Sequence, residues 1–239
     1  MTQPTFSIII PAFDEEKYLP KCIASIRAAE KALGEPVEIV VGDNISRDRT
    51  REVARELGAK VVEVPDKCIS IVRNRAADQA TGKYLAFIDA DDYMSENMLV
   101  EIKKAMESGK YIGGGTANLK SDRWSLGIFL TGLLLVLPVP FTGISLFLFY
   151  TTREAYDAIG GWNETMKASE DWDFGYRLRK LGKERGLKYK NMVRAHITKS
   201  ARKFDEFGDW FIFTRPIQMW KAIHNDEKAT YELWYRPRR

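Results

Sequence analysis

Apolar residues along the first 110 positions follow two alternating patterns. Short continuous runs bounded by turn residues predict buried strands, and stretches with an apolar residue every three or four positions predict helices with one buried face. The predicted strands span 6–10, 37–41, 60–64 and 84–88, and the predicted helices span 15–33, 48–57, 69–80 and 96–106. Because strands and helices alternate, we predict an α/β fold with a doubly wound, mostly parallel sheet and helices on both faces.

Single residues indicate where these helices begin and end. A serine ahead of a helix can cap its free N–H groups, so we expect Ser95 to cap the fourth helix. Glycine commonly follows the last turn of a helix. We therefore expect Gly58 to end the second helix, and Gly182 to end a later helix that begins at Glu170.

The pattern is less regular beyond residue 110. Residues 111–119 contain three consecutive glycines and suggest a strand with close backbone approaches. Residues 125–152 carry no charge and are long enough to cross a bilayer. Pro138 and Pro140 divide that stretch into a helical piece and a strand-like piece, each too short to cross. We expect buried or interfacial segments here in preference to a membrane span.

The C-terminal residues 204–239 mix aromatic side chains with lysine and arginine. The aromatic residues include Trp210, Phe211, Phe213, Trp220, Trp234 and Tyr235. Two interpretations stay open: an amphipathic helix at a membrane surface, or a helix packed on the protein or on a second subunit. We accordingly divide the chain into a regular first half (1–110), a less regular second half (111–203) and this tail (204–239).

Composition and charge narrow the setting. The chain has 239 residues, and 37 basic against 33 acidic residues give a net charge of +4, too small an excess to indicate nucleic-acid binding. Cys22 and Cys68 form no CxxC pair, which implies no disulfide framework and fits a reducing compartment. No secretory signal precedes the first strand. We expect a cytoplasmic protein, and leave open a contact with the cytoplasmic face of a membrane.

The most informative chemistry is the sequence Asp89-Ala90-Asp91-Asp92, which directly follows the apolar strand 84–88. Three carboxylates at the end of a buried strand are unfavourable unless something neutralises them. Hard oxygen ligands of this kind suit Mg²⁺ or Mn²⁺, which commonly bridge carboxylates and substrate phosphates. The alternative is an ordinary polar turn, since strands often end in such residues.

Three further polar clusters favour a binding site over a turn. They are residues 11–16 after the first strand, residues 43–50 after the second, and Arg73-Asn74-Arg75 on the third helix. Ligands of open α/β sheets bind outside the carboxyl ends of the strands. We therefore expect these clusters to meet the acidic quartet at one edge of the sheet.

With these clusters the sequence resembles the family 2 glycosyltransferases, which have the GT-A fold. The resemblance extends from about residue 6 to residue 182, and more loosely to Trp210. It rests on residues 7–16, 40–50, 73–74, 82–92 and 159–164, and on Glu170-Asp171. Two positions depart from the family pattern, since Ile45 and Arg47 stand where the family often has glycine and threonine. These departures make the choice of nucleotide base less certain.

The resemblance implies a nucleotide-sugar site in the first half. Asp43 would accept a hydrogen bond from the base, and Arg73 would contact the base or the phosphates. Asp89 would contact both the ribose and a Mn²⁺ or Mg²⁺ ion, Asp91 would bind that ion, and Asp92 would support the site. The remaining residues of the expected nucleotide pocket are Pro11, Ala12, Phe13, Glu15 and Ala90.

The resemblance also implies the catalytic residues. Asp171 would remove the proton of the acceptor hydroxyl, and Glu170 would contact the acceptor or orient Asp171. Without the other motifs, this pair would be an ordinary acidic start of a helix.

Three further residues are weaker expectations. His196 could complete the metal site and Arg202 could hold the diphosphate, although a solvated basic strand end is an equal alternative. Trp162 could stack on an acceptor, or could equally belong to the core.

The resulting hypothesis is a metal-dependent, inverting glycosyltransferase. It would move a sugar from a UDP- or GDP-linked donor to an acceptor hydroxyl or a lipid-linked acceptor. One alternative is a non-catalytic, membrane-associated nucleotide-binding protein. A second is a sugar nucleotidyltransferase, which the acidic, glycine-free loop 11–16 disfavours.

Overall fold

The computed structural model describes residues 3–224 and Lys228. Its strands, in chain order, are β1 (Phe6–Ala12), β2 (Val37–Asp43), β3 (Lys60–Glu63), β4 (Tyr84–Phe87), β5 (Asp92–Met94), β6 (Tyr111–Thr116), β7 (Leu119–Ser121), β8 (Phe147–Thr152), β9 (Lys188–Met192) and β10 (Ile197–Lys199). Its helices are α1 (Leu19–Leu33), α2 (Thr50–Glu56), α3 (Ile69–Asp78), α4 (Met98–Glu107), α5 (Leu126–Val136), α6 (Val139–Thr142), α7 (Arg153–Ala158), α8 (Glu170–Glu184), α9 (Arg202–Phe207), α10 (Phe211–Thr214) and α11 (Pro216–Ile223).

Seven strands form the central sheet in the order β3-β2-β1-β4-β8-β6-β9. The four strands from the first half are parallel to one another, and β6 is parallel to β9. The mostly parallel sheet predicted from the sequence is therefore confirmed. Strand β8 was not expected to reverse direction, but it runs antiparallel to both β4 and β6. It joins the two halves of the chain in one continuous sheet.

A second sheet of three short strands, in the order β5-β10-β7, lies beside the acidic quartet. The expected single strand 111–119 is wrong, because β6 ends at Thr116 and β7 belongs to this second sheet. Strand β10 pairs antiparallel with β5 and places Lys199 opposite Asp92. Three-residue strands are too short to show a period in the sequence, which is why the pattern did not reveal this sheet.

Helices cover both faces of the central sheet, and the alternation of β1 shows how. Ile8 and Ile10 pack with α1 and α4 on one face, whereas Ile9 packs with α3 and α8 on the other. Successive side chains of a strand point to opposite faces, so a strand buried on both faces is apolar at every position. The continuous apolar runs in the sequence reflect this double burial.

Several helix ends differ from expectation for local reasons. Helix α1 begins at Leu19 with Pro20 in its first turn, and the segment before it is a loop in which the Glu15 backbone N–H donates to Thr50 Oγ1 at 2.8 Å. Ser95 does not cap α4, whose N-cap is Asn97; the Ser95 hydroxyl accepts the His196 N–H at 3.0 Å.

The two expected helix-ending glycines behave differently. Gly58 follows α2 with a φ of +74°, as expected. Gly182 lies inside α8, which continues to Glu184. A Cβ atom at residue 182 would stand 2.7 Å from Ile112 Cγ2, so this glycine is required for close packing of α8 on β6.

The uncharged stretch folds as α5, the one-turn α6 and β8. Among residues 3–224, no helix is both long and apolar enough to span a membrane. The aromatic tail contributes α9, α10 and α11, while Trp234, Tyr235 and the basic chain end lie outside the described residues.

Candidate active site

The expected site residues surround one large cavity at the carboxyl ends of β1 and β4. Its volume is about 1030 Å³. Eleven residues singled out from the sequence line it: Pro11, Ala12, Phe13, Glu15, Arg73, Asp89, Ala90, Asp91, Glu170, Asp171 and Arg202. The sheet topology explains this convergence, because parallel strands bring the loops that follow them to the same edge.

Arg73 joins the acidic quartet to the pair at the start of α8. Its Nη2 atom lies 3.0 Å from Asp89 Oδ1, and its Nη1 atom lies 3.3 Å from Glu170 Oε1 and 3.2 Å from Asp171 Oδ1. The side chain is almost completely buried, and its guanidinium carbon lies 4.2 Å from the ring centroid of Trp162. Burial alone would lower the pKa of Arg73, but Asp171, Asp89 and Glu170 outweigh it and raise that pKa.

Lys199 is a site residue that the sequence analysis missed. Its Nζ atom lies 2.8 Å from Asp92 Oδ2 and 3.4 Å from Asp89 Oδ2. Burial raises the pKa of Asp92 well above its ordinary value despite Lys199. Burial also disfavours ionised Asp89, but Lys199 and Arg73 prevail and lower its pKa. The only signal in the sequence was the requirement of buried carboxylates for cations.

Arg202, the first residue of α9, forms the third cationic contact. Its Nη1 atom donates to Glu15 Oε2 at 2.6 Å, and its Nε atom lies 2.7 Å from Asp91 Oδ2. Arg73, Lys199 and Arg202 thus form ion pairs with six carboxyl groups in and beside the cavity. Those groups are Glu15, Asp89, Asp91, Asp92, Glu170 and Asp171.

Asp171 has a raised proton affinity, in contrast to Asp89. Burial raises the pKa of Asp171 to about 7, the Glu170 carboxylate adds to the rise, and Arg73 opposes it. About a third of its side chain remains accessible from the cavity (35%). A carboxylate with a pKa near neutrality can take a proton from a substrate hydroxyl and release it again.

Backbone strain marks the rim of the cavity. Asp14, Ile45 and Ser169 have positive φ values of 55°, 55° and 60°, which are uncommon for residues other than glycine. Ser169 directly precedes the Glu170-Asp171 pair. At position 45 the backbone has the positive φ that glycine would favour, although the residue here is the β-branched Ile45. Strained residues of this kind concentrate at functional sites.

Comparison with known proteins identifies the family. The sequence profile described as Glycosyl transferase family 2 matches residues 7–140. The PGL/p-HBAD biosynthesis glycosyltransferase of Mycobacterium bovis (strain BCG / Pasteur 1173P2) is 30% identical over 188 residues, which cover 74% of this chain and 70% of that protein. The chain belongs to glycosyl transferase family 2.

Other matches agree with this glycosyltransferase assignment. The low-salt glycan biosynthesis hexosyltransferase Agl6 of Haloferax volcanii is 34% identical over 106 residues, which cover 44% of this chain and 25% of that protein. Among solved structures, the mannosyltransferase PcManGT from Pyrobaculum calidifontis, in complex with GDP-Man and Mn²⁺, superposes with a TM-score of 0.65. The identity is 16%, and the match covers 100% of this chain and 66% of that one.

The structure of S. aureus TarS 1-349 in complex with UDP-GlcNAc has a TM-score of 0.55 and 21% identity, covering 73% of this chain and 53% of that one. These likenesses confirm the GT-A fold that the sequence resemblance implied. Membership of the family sets aside the two alternatives, a non-catalytic binding protein and a nucleotidyltransferase.

Asp43 lies behind the lining of the glycosyltransferase cavity and is fully buried. Its Oδ2 atom accepts the Ser46 N–H at 3.2 Å, and Arg51 Nε lies 3.7 Å away. Its Oδ1 atom is buried without a hydrogen-bond partner. Burial raises the pKa of Asp43, and the bonds from Ser46 oppose the rise. A buried acceptor without a donor is unfavourable unless a ligand supplies one.

Two expected site residues are not brought to the cavity. Trp162 is 1% exposed, and its ring stacks on Phe174 with a centroid separation of 4.1 Å. Stacking of Trp162 on an acceptor is therefore wrong, and its core alternative is the observed one. His196 is absent from the cavity lining, and its backbone N–H donates to the Ser95 hydroxyl. Burial lowers the pKa of His196, and the nearby Lys120 lowers it further. The structure thus does not bring His196 to the carboxylates Asp89 and Asp91.

The opposite wall of the glycosyltransferase cavity is apolar. Helix α5 supplies Ile128, Phe129, Leu133 and Val136, and the C-terminal helices supply Phe211, Ile212 and Met219. Part of α5 also faces solvent: Leu126, Phe129, Leu133 and Leu134 are each about half exposed, and Phe141 in α6 is 86% exposed. Arg123, which precedes α5, connects this helix to the C-terminal segment through ion pairs with Asp205 in α9 and with Asp209.

Proposed function

We propose that this glycosyltransferase moves a sugar from a UDP- or GDP-linked donor to an acceptor hydroxyl, with inversion at the anomeric carbon and with a divalent metal ion. One observation carries the proposal: Arg73 contacts Asp89 of the donor quartet and Asp171 of the catalytic pair within a single cavity. A donor bound at the quartet would thereby present its sugar to the carboxylate that serves as base.

The donor end has the polar groups that a nucleotide requires. The unsatisfied Oδ1 atom of Asp43 can accept a ring N–H of uracil or guanine, and Glu15 can accept from ribose hydroxyls. Access to Asp43 requires the neighbouring loop at Ile45 to shift, because Asp43 is fully buried. Two proteins of the same fold bind donors of this class, since TarS is seen with UDP-GlcNAc and PcManGT with GDP-Man.

The donor quartet fits a hard divalent cation in its chemistry. Asp89 and Asp91 both line the cavity and offer carboxylate oxygens of the kind that Mg²⁺ and Mn²⁺ prefer. In the part of the chain that the structure describes, no three His, Cys, Asp or Glu side chains are grouped for a metal. This agrees with an ion held by one or two carboxylates and the substrate phosphates. Such an ion would stabilise the departing nucleoside diphosphate as a Lewis acid.

Asp171 is the proposed base. The acceptor oxygen forms a bond to the anomeric carbon while the bond from that carbon to the diphosphate oxygen breaks, and the hydroxyl proton moves to an Asp171 carboxylate oxygen. A single displacement from the opposite side inverts the anomeric centre. Glu170 and Arg73 hold the Asp171 carboxylate in place and set its pKa.

The apolar wall favours a lipid-linked acceptor. Helix α5 lines the cavity with Phe129 and Leu133 and also exposes both side chains to solvent. Residues 124–152 carry no charge, and residues 211–224 contain Arg215 and Lys221 but no acidic residue. Exposed apolar side chains beside cations suit the interface of a membrane with anionic lipids. We place this surface at the cytoplasmic face of a membrane, where the acceptor would enter along α5.

Turnover of nucleotide sugars tests the core of the proposal. UDP- and GDP-sugars are incubated with the protein and Mn²⁺ or Mg²⁺, and release of the nucleoside diphosphate is measured. Asp91→Ala should abolish metal-dependent turnover, and Asp171→Asn should abolish transfer while donor binding persists. Thermal shifts identify the donor, because a ligand stabilises the folded state by about RT ln(1 + [L]/Kd). If the Asp171→Asn variant turned over nucleotide sugar as fast as the wild type, the proposed role of Asp171 would be contradicted.

A further inference from the structure

Two cations from the segment β10–α9 reach the acidic quartet Asp89-Ala90-Asp91-Asp92, and they are held differently. Lys199 lies within β10, where the strand ladder places it opposite Asp92. Arg202 lies beyond the end of β10 and outside the ladder. The position of Lys199 is therefore fixed by backbone hydrogen bonds. Arg202 is held instead in the first turn of α9, where its N–H donates to Ser200 Oγ at 3.3 Å, and its side chain is held by its own partners.

Those partners are two groups that the proposed function assigns to substrate and metal. Glu15, the proposed ribose acceptor, receives the Nη1–H at 2.6 Å, and Asp91, the proposed metal ligand, lies 2.7 Å from Nε. The Arg202 guanidinium also lies 5.0 Å from the Tyr18 ring centroid. All three side chains of the ion-pair cluster are nearly buried. One guanidinium thus contacts both carboxylates and offsets one of their two negative charges.

The contact with Asp91 is close but poorly aligned. The buried Nε–H of Arg202 has no hydrogen-bond acceptor, because it does not point at the Asp91 oxygen. A buried donor without an acceptor weakens an arrangement by the desolvation of that group. Arginine is well suited to bidentate hydrogen bonds with phosphate oxygens, which would satisfy this N–H.

We propose that Arg202 acts as an internal cation that occupies Asp91 in the empty enzyme and moves to the donor diphosphate when the metal ion binds. This inference rests on the proposed metal role of Asp91. Metal and guanidinium compete for the same carboxylate, so the ion alone binds weakly. The diphosphate supplies new anionic partners for Arg202 and thereby frees Asp91. Metal and nucleotide therefore strengthen each other's binding, and part of that coupling passes through Arg202.

Arg202→Gln separates this role from a simple phosphate contact. Mn²⁺ binding to the full chain is measured by calorimetry and by the Mn²⁺ electron paramagnetic resonance signal, without nucleotide and then with UDP or GDP. Removal of the competing cation should tighten Mn²⁺ binding without nucleotide by about 5-fold or more, the lower end of typical coupling between two sites. The factor by which the nucleotide strengthens Mn²⁺ binding should fall in the same variant. A phosphate ligand with no other role would leave Mn²⁺ binding without nucleotide unchanged.

Three matched variants complete the test. Arg202→Lys keeps a cation and should bind free Mn²⁺ nearly as weakly as wild type. Lys31→Gln removes one exposed positive charge on α1 and should change nothing, which excludes a general effect of net charge. Asp91→Asn should abolish Mn²⁺ binding both in the otherwise wild-type protein and in the Arg202→Gln variant.

Two outcomes distinguish the failures. Unchanged or weaker Mn²⁺ binding in a folded Arg202→Gln protein overturns the role of Arg202. Absence of Mn²⁺ binding in wild type, with or without nucleotide, overturns the proposed metal site itself. Circular dichroism melting of each variant establishes that the compared proteins are folded.

Discussion

The two ends of the cavity are built on opposite principles. At the donor end, six carboxyl groups and three cations contact one another at distances of 2.6–3.4 Å among buried and partly buried side chains. At the acceptor end, α5 and the C-terminal helices present apolar side chains, several of them about half exposed. The donor end therefore already contains internal partners for its charges. Among the described residues, the acceptor end leaves apolar surface exposed, and such surface can bind an apolar partner.

The largest expected effect comes from Asp171, where the two ends meet. Asp171→Asn removes the proton acceptor and keeps the size of the side chain. Because general base catalysis contributes about 10²–10⁴-fold, we expect kcat to fall by that factor while donor affinity changes little. Steady-state kinetics and donor calorimetry measure the two quantities. The matched control is Asp157→Asn, an exposed carboxyl on α7, which should retain full activity.

The next effect tests the paired charges of the donor end. Arg73→Met leaves Asp89, Glu170 and Asp171 without their shared cation. Breaking a buried ion pair on one side costs about 3 kcal/mol, and we expect a decrease of that order in the free energy of unfolding, measured by urea denaturation. Arg75→Met on the same helix removes an exposed ion pair and should cost less than about 1 kcal/mol. Equal losses in the two variants would contradict the role of Arg73 as the central counter-ion.

A smaller effect tests the apolar end. The double variant Phe129→Glu, Leu133→Glu places two carboxylates on the solvent-facing part of α5. We expect the fraction that floats with vesicles of phosphatidylcholine and phosphatidylglycerol to fall about tenfold, since each apolar side chain buried in the interface contributes roughly 1.5–3 kcal/mol. Val100→Glu with Val193→Glu, two exposed valines elsewhere, should float like wild type. Wild-type protein that stays in the soluble fraction at low salt would contradict the membrane contact.

The smallest expected effect concerns the pH dependence of kcat/KM, which reports on Asp171, where the two ends of the cavity meet. The base must be deprotonated, so kcat/KM should rise with pH through the Asp171 pKa of about 7 and level off above it. Glu170→Gln removes a neighbouring negative charge that raises this pKa. The acidic limb should therefore move to lower pH, by up to about one unit. A limb that stays in place would show that the titrating group is not Asp171.

The sequence predicted the donor end well because its signals are local. Strands β1 and β4 are buried at every position and almost entirely apolar, so their ends, and the polar residues that follow, are visible in the chain. Parallel pairing then brings Ala12 and Asp89 to the same edge without further information. Six expected site residues line the cavity for this reason, namely Pro11, Ala12, Phe13, Asp89, Ala90 and Asp91.

Features that depend on distant pairing were not predictable in the same way. Lys199 reaches Asp92 only because β10 pairs with β5 across about a hundred residues of chain, and both strands have three residues. The burial of Trp162 depends on Phe174 and Phe149, which come from α8 and β8. A tryptophan in a glycine-rich turn carries no local sign of either partner.

The contact between Trp162 and Arg73 gives the aromatic core an influence on reactivity. The indole ring packs on Phe174 and also supports the guanidinium at 4.2 Å. Substitutions at Phe174 would therefore reach Asp171 through two neighbouring side chains, although position 174 has no exposed surface. Efforts to evolve new donor or acceptor preferences would gain more from varying the cavity walls than from repacking this interior. Catalytic defects that arise by chance far from any substrate should accumulate around this indole.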